Sequence, residues 1–276
     1  MPEAAPAPVQ PRKHPVVGIG ISMTSYSEVA QVCARWIADR RAAAPGALRA
    51  ARYICVTSVH GIVSAVLNRS LRPVFNGADI ATPDGMPVVW ALRSFGAREQ
   101  QRVYGPDLML ALCAQAAASG HRIFLYGGRE EMLSALCERL MEKMPALQIV
   151  GAYSPPFRPL TPEEDARIVN RIMDLETDLL FVGLSTPKQD RWMLAHRHKL
   201  PGLVMVGVGA AFDFHAGRVS QAPAWMRRTG LEWLFRLKEE PSRLWKRYLL
   251  VTPLFLPLWG LQLLGVLKYQ EEPVRS

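Results

Sequence analysis

The chain has 276 residues, 49% of them hydrophobic, and a formal charge of +9. This length and apolar content suffice for a sizeable core and exclude an intrinsically disordered chain or a disulfide-stapled mini-protein. The four cysteines, Cys33, Cys55, Cys113 and Cys137, form no C-x-x-C pair and have no histidine at metal-ligand spacing, so thiols used for packing in a reducing, cytosolic compartment are expected.

Residues 1–15, rich in Ala and Pro, predict a disordered tail. The apolar run Val16–Ile21 that follows is too short for a signal-peptide core and predicts a first strand. Further short apolar runs, Tyr53–Val56, Arg122–Tyr126, Gln148–Val150, Leu179–Val182 and Val204–Val208, predict strands. Segments of helical period lie between them: Ser27–Arg41, Met86–Ser94, Leu108–Ser119, Glu130–Met144, Pro162–Leu175 and Pro187–Lys199. Thr161-Pro162-Glu163-Glu164 supplies one clear helix start, an N-cap followed by Pro and two acids. The alternation predicts an α/β fold over residues 16–216, a Rossmann-like parallel sheet with helices on both faces.

After Gly217 the alternation stops. Residues 217–248 predict a basic, Trp-rich helical appendage, and residues 249–276 an apolar, membrane-associating segment and tail. Seven Lys/Arg against three Glu fall between Trp225 and Tyr248, and Leu249–Leu267 then runs nineteen residues without a charge. Basic residues abutting an aliphatic slab point to a membrane surface rather than to nucleic acid. Thr252-Pro253 predicts a helix start inside the slab and Pro257 interrupts it, which favours monotopic or re-entrant insertion over a span; an apolar helix packed on the core or at an oligomer interface is the alternative.

In open α/β sheets ligands bind beyond the carboxyl ends of the strands, so the loops after each strand carry the candidate site. Gly127-Gly128 after Phe124–Tyr126 is either a tight strand-to-helix turn or a close backbone approach to a phosphate or ribose. Gly207-Val208-Gly209 lacks the third glycine of a dinucleotide fingerprint, which weakens a nicotinamide-dependent reading. Asp84, in Thr82-Pro83-Asp84-Gly85, is either an N-cap or a general base held on a rigid turn; Asp107, in Gly105-Pro106-Asp107-Leu108, has the same two readings. Thr186-Pro187-Lys188-Gln189 satisfies a capping box but leaves Lys188 opposing the helix dipole, an arrangement suited to an intervening diphosphate. His60 and His215 fall in strand-end loops, as structural or substrate-contacting groups, while His196 and His198 point to different helix faces. The absence of an Asp-x-Asp cluster predicts chemistry without a metal or other cofactor.

The order of these loops, with Thr57, Ala78-Asp79, Ala216-Gly217, Ala222-Pro223 and Gly230-Leu231-Glu232-Trp233-Leu234-Phe235-Arg236-Leu237 through Glu240-Pro241-Ser242-Arg243, resembles the WecG/TagA/CpsF glycosyltransferases, glycosyltransferase family 26, over roughly Val16 to Tyr248. The resemblance implies an inverting, metal-independent hexosyltransferase. It would move a sugar from a UDP-sugar to a polyprenyl-diphosphate-linked saccharide in surface or extracellular polysaccharide synthesis, at the cytoplasmic face of the bacterial inner membrane. It assigns Asp84 as catalytic base, Thr57 and Gln189 as pocket residues beside it, and Arg236 and Arg243 as appendage arginines reaching the diphosphate. Lys246 and Arg247 match two further basic positions, the first a lysine without the bidentate fork of arginine. Asp107, Tyr126, Gly127, Gly128, Gly183, Lys188, Gly207 and Gly209 complete the expected substrate contacts. The family often has Asn two residues after Thr57; this chain has Val59, then His60. Two rival readings stand beside this one, another nucleotide-binding α/β enzyme and a non-enzymatic membrane-associated binding module; a homo-oligomer is left open.

Overall fold

The computed structural model describes residues 10–44, 47 and 49–269, with Arg243 described by its backbone alone. The expected first strand is instead a hairpin. Strands β1 (Lys13–Val16) and β2 (Ile19–Ser22) pair antiparallel across Val17 and Gly18, whose φ angles of 50° and 81° give the left-handed turn that a tight hairpin requires. Lys13 to Pro15, expected in the tail, thus belong to a strand; residues 1–9 lie outside the described part.

The core alternates strand and helix. Helix α1 (Tyr26–Ala42) starts at a Ser25/Glu28 capping box and leads to β3 (Arg52–Ser58). Then come α2 (Val59–Leu67), α3 (Arg72–Asn76), β4 (Ile80–Asp84), α4 (Met86–Ser94) and α5 (Gly105–Ser119), the last closed by Gly120 in the left-handed region. The second half runs β5 (Arg122–Gly127), α6 (Glu130–Lys143), β6 (Gln148–Tyr153), α7 (Pro162–Asp174), β7 (Leu179–Gly183), α8 (Lys188–His196), β8 (Val204–Gly207) and α9 (Ala211–His215). Helix α7 begins on the expected Thr161 cap, with Glu164 closing the box.

Strands β3 to β8 form one parallel sheet in the order β4-β3-β8-β7-β5-β6, with apolar layers on both faces. One layer gathers buried residues of α1, α5, α6 and α9, such as Ile37, Leu112, Leu136 and Phe212. The other gathers α2, α3, α4, α7 and α8 with the hairpin, through Ile62, Phe75, Leu92 and Ile172. Burial on both faces explains why the central strands read as continuous apolar runs.

Beyond α9 the chain crosses back over the carboxyl ends of the strands as α10 (Ala224–Thr229), α11 (Glu232–Glu239) and α12 (Pro241–Trp245). The apolar slab is broken into a π-helical turn at Lys246–Val251, a 3-10 turn at Thr252–Leu254 and α13 (Phe255–Leu263). Among the described residues no helix is long and apolar enough to cross a membrane. Helix α13 docks on the core: Phe255 is buried among the second layer, Trp259 Nε1 donates to Ser94 Oγ at 3.2 Å, and Gln262 bonds the hairpin twice. In that pair of hydrogen bonds the Val17 N–H donates to Oε1 and Nε2 donates to the Pro15 carbonyl, each at 2.7 Å.

Candidate active site

Four adjacent strands, β4, β3, β8 and β7, end at a cleft of about 310 Å³ roofed by the appendage. Its lining includes Ser58 and His60 from the β3 end, Asp84 from β4, Gln189 from α8, Gly207 at the end of β8 and Gly209 after it, and Arg236 and Arg247 from the roof.

Asp84 is the last residue of β4, opposite Ser58 in the parallel register. It is not a helix cap: the N-cap of α4 is Gly85, whose φ of 99° and lack of a side chain make the turn that aims the preceding carboxylate into the cleft. The Arg102 guanidinium donates to Asp84 Oδ1 through Nε at 3.1 Å and Nη2 at 2.9 Å. Both bonds land on one oxygen, and no side-chain hydrogen bond among the described residues reaches Oδ2. Burial pushes the Asp84 carboxyl above the usual carboxylate range, opposed by the Arg102 charge. Arg102 in turn lies 4.1 Å from the centre of the Tyr104 ring and donates through Nη1 to Glu232 of α11 at 2.6 Å.

Gln189 is buried and accepts from the Gly209 N–H at 3.0 Å. A Cβ on Gly207 would lie 2.9 Å from Gln189 Nε2, so glycine is required there for the amide to reach its place. His60 is held neutral, its pKa pushed down to about 4 by burial and then by the Arg247 charge. Arg247 Nη2 donates to Ser58 Oγ at 3.4 Å, and Arg236 packs over the Phe214 ring while pairing with Glu240 at 3.3 Å.

The remaining expected site residues are placed elsewhere. Thr57 is fully buried at the end of β3 and gives its hydroxyl to the Cys55 carbonyl at 3.2 Å. Tyr126 stacks on Trp192 beneath the surface. Gly127 and Gly183 meet across β5 and β7 so closely that a Cβ on the former would touch the latter's carbonyl oxygen, and Gly128 carries a positive φ in the turn after them. Asp107 sits in the first turn of α5, whose N-cap is Tyr104, and pairs with Arg227 at 3.5 Å. Lys188 is exposed outside the lining, as is Lys246, which lies over the Trp245 ring. The expected capping box at Thr186 is absent: the Thr186–Pro187 bond is cis, and α8 starts at Lys188 without a side-chain cap. The Arg243 backbone lies in α12; its side chain falls outside the described part.

Arg102 and the pairing role of Glu232 escape sequence reasoning. They lie 130 positions apart, and no periodicity links them. Arg102 is one of three arginines between the two aspartate loops, with Arg93 and Arg98, and nothing in the sequence singles it out.

The site therefore combines a carboxylate with one open oxygen, a neutral imidazole, a fixed amide and a roof bearing arginines. A family model described as the glycosyl transferase WecG/TagA/CpsF family matches residues 14–268. A Bacillus subtilis (strain 168) N-acetylglucosaminyldiphosphoundecaprenol N-acetyl-beta-D-mannosaminyltransferase is 32% identical over 186 residues, 67% of this chain and 70% of that protein. The protein of the same name from Bacillus spizizenii is 32% identical over 185 residues, with the same shares covered. With the match running almost end to end, through the strand ends that line the cleft and the helices that roof it, the chain belongs to the WecG/TagA/CpsF family of glycosyltransferases.

Proposed function

We propose that this chain transfers a hexosamine-type sugar from a UDP-sugar to a saccharide linked to a polyprenyl diphosphate, with inversion and without a metal. The observation that carries the reading is Asp84, held at a strand end with Oδ1 pinned by Arg102 and Oδ2 open to the cleft. In one displacement, Oδ2 takes the proton of the acceptor hydroxyl as its oxygen bonds the anomeric carbon, while the bond from that carbon to the donor phosphate breaks. UDP leaves with the bond's electron pair. Arg236 and Arg247, lining the roof, are placed to stabilise the negative charge it gathers. The relatives' name suggests the acceptor chemistry, an N-acetylglucosaminyl group on an undecaprenyl diphosphate, and N-acetylmannosamine as the first donor sugar to try.

The membrane part of the proposal rests on the apolar slab. Leu249, Leu250, Leu256, Leu263, Leu264 and Val266 are exposed beside a basic segment, an arrangement suited to lying in a lipid headgroup layer where the acceptor resides. The test is UDP release by the full chain with UDP-N-acetylmannosamine and N-acetylglucosaminyl-diphosphoundecaprenol in detergent. Asp84→Asn should abolish release, a loss on the order of 10²–10⁴-fold, while donor binding by calorimetry persists. Arg236→Ala should lower turnover with the fold intact. Near-normal turnover of Asp84→Asn would remove the base assignment.

A further inference from the structure

Arg102 is shared between two carboxylates from different parts of the molecule. Asp84 belongs to the sheet and Glu232 to the first turn of α11 in the appendage, and both ion pairs are mostly buried, with Arg102 at 15%, Asp84 at 20% and Glu232 at 12% side-chain exposure. The cation has no third position available: its flat face is against Tyr104, its Nε and Nη2 are on Asp84, and its Nη1 is on Glu232.

We infer that Glu232 is a positioning residue that couples seating of the appendage to the strength of the base, by sharing Arg102 so that this cation does not fully neutralise Asp84. The inference rests on the reading of Asp84 as base. With α11 seated, Glu232 draws on the guanidinium and adds a negative charge beside the cleft, and both effects favour proton uptake by Asp84. With α11 lifted, Arg102 pairs with Asp84 alone and holds it as a weakly basic carboxylate. A sugar donor bound before the roof closes therefore meets a poor base, which limits transfer to water from an open site.

The other titratable and charged groups around Asp84 are Tyr26 of α1, neutral His60 of α2, Tyr104 and Asp107 at the start of α5, Arg236 of α11 and Arg247 of the π-helical turn. Tyr104 also faces both carboxylates, but among the described residues Arg102 is the group that hydrogen-bonds Asp84 and Glu232 together. Arg247 acts oppositely to Glu232, lowering the proton affinity of Asp84 as the roof closes. The charge on Glu232 offsets it.

The test compares pH profiles of kcat/KM for the full chain, Glu232→Gln and Glu232→Asp with the donor and acceptor named above, with Asp84→Asn as the inactive reference. Glu232→Gln keeps the size and the acceptor oxygen but loses the charge. It should move the acidic limb to lower pH by about one unit, the lower end of what one neighbouring charge imposes, and lower the plateau on the order of tenfold. Glu232→Asp should restore most of both. An acidic limb unmoved in Glu232→Gln, with the same melting temperature as the parent, would overturn the coupling while leaving the base assignment standing. Full activity of Asp84→Asn would overturn the base assignment itself.

Discussion

Two buried aspartates show how the same side chain is used differently by its surroundings. Asp84 keeps one oxygen for chemistry because Arg102 occupies the other. Asp190, fully buried in the first turn of α8, has no such cation: the Cys55 thiol and Thr186 hydroxyl approach it without closing hydrogen-bond geometry, and burial raises its pKa to about 6. Against an ordinary 3.8, that rise corresponds to on the order of 3 kcal/mol against the ionised form in the fold. Because the folded value is the higher one, the native state binds more protons across this window, and stability falls as pH rises from about 4 through about 6. Asp190→Asn removes that titration. Its melting temperature relative to the parent should therefore be higher at pH 7.5 than at pH 4 by a few degrees, measured by thermal unfolding at the two pH values. An equal offset at both would show that the carboxyl titrates normally.

At the scale of elements, the contact between the end of β8 and helix α8 sets the floor of the cleft. Gly207 faces Gln189 Nε2 and Met193 Cε so closely that a methyl group must displace one of them. Gly207→Ala should cost about 1–3 kcal/mol by overpacking, lower the melting temperature by a few degrees, and reduce kcat/KM more than an equally destabilising change far from the cleft. Unchanged kinetics would mean that Gln189 does not need its place. The helices with strong periodicity, such as α4 and α7, were legible in the sequence, as were the four central strands β3, β5, β7 and β8, because both-sided burial makes them short apolar runs; the edge strand β6 was legible from its own short run at Gln148–Val150. Strand β4 was not, since Ile-Ala-Thr-Pro-Asp is short and Pro83 reads as a breaker; it is tolerated because β4 is a sheet edge. Helix α2 follows β3 with no turn residue or side-chain cap, so its apolar residues merge with the strand. The hairpin was hidden because one of its two turn residues is Val17 rather than a glycine or asparagine. Of the candidate site, Asp84, Gln189, Gly207, Gly209, Arg236 and Arg247 line one cleft, whereas the Arg102–Glu232 pair required the fold itself.

Across the whole molecule, the apolar excess of the C-terminal slab is divided between two uses. Phe255 turns inward to complete a core layer, while Leu256 and Leu264 face outward. Replacing both with Glu should reduce cosedimentation with anionic phospholipid vesicles on the order of tenfold or more, without lowering the melting temperature, since each exposed leucine removed from lipid forfeits about 1.5–3 kcal/mol. Vesicle binding equal to that of the parent would assign the slab to another partner. The pair of hydrogen bonds from Gln262 to the hairpin gives the slab a further consequence. The helices over the cleft are tied to the core along their length, by Arg227 to Asp107, Glu232 to Arg102 and Arg247 to Ser58, and α13 anchors their far end. Removing everything after Tyr248 would take away that end anchor together with the lipid contact, leaving the seating of Arg236 and Glu232 to the remaining ion pairs. Loss of turnover in a shortened chain is then a statement about mechanical support as much as about the membrane.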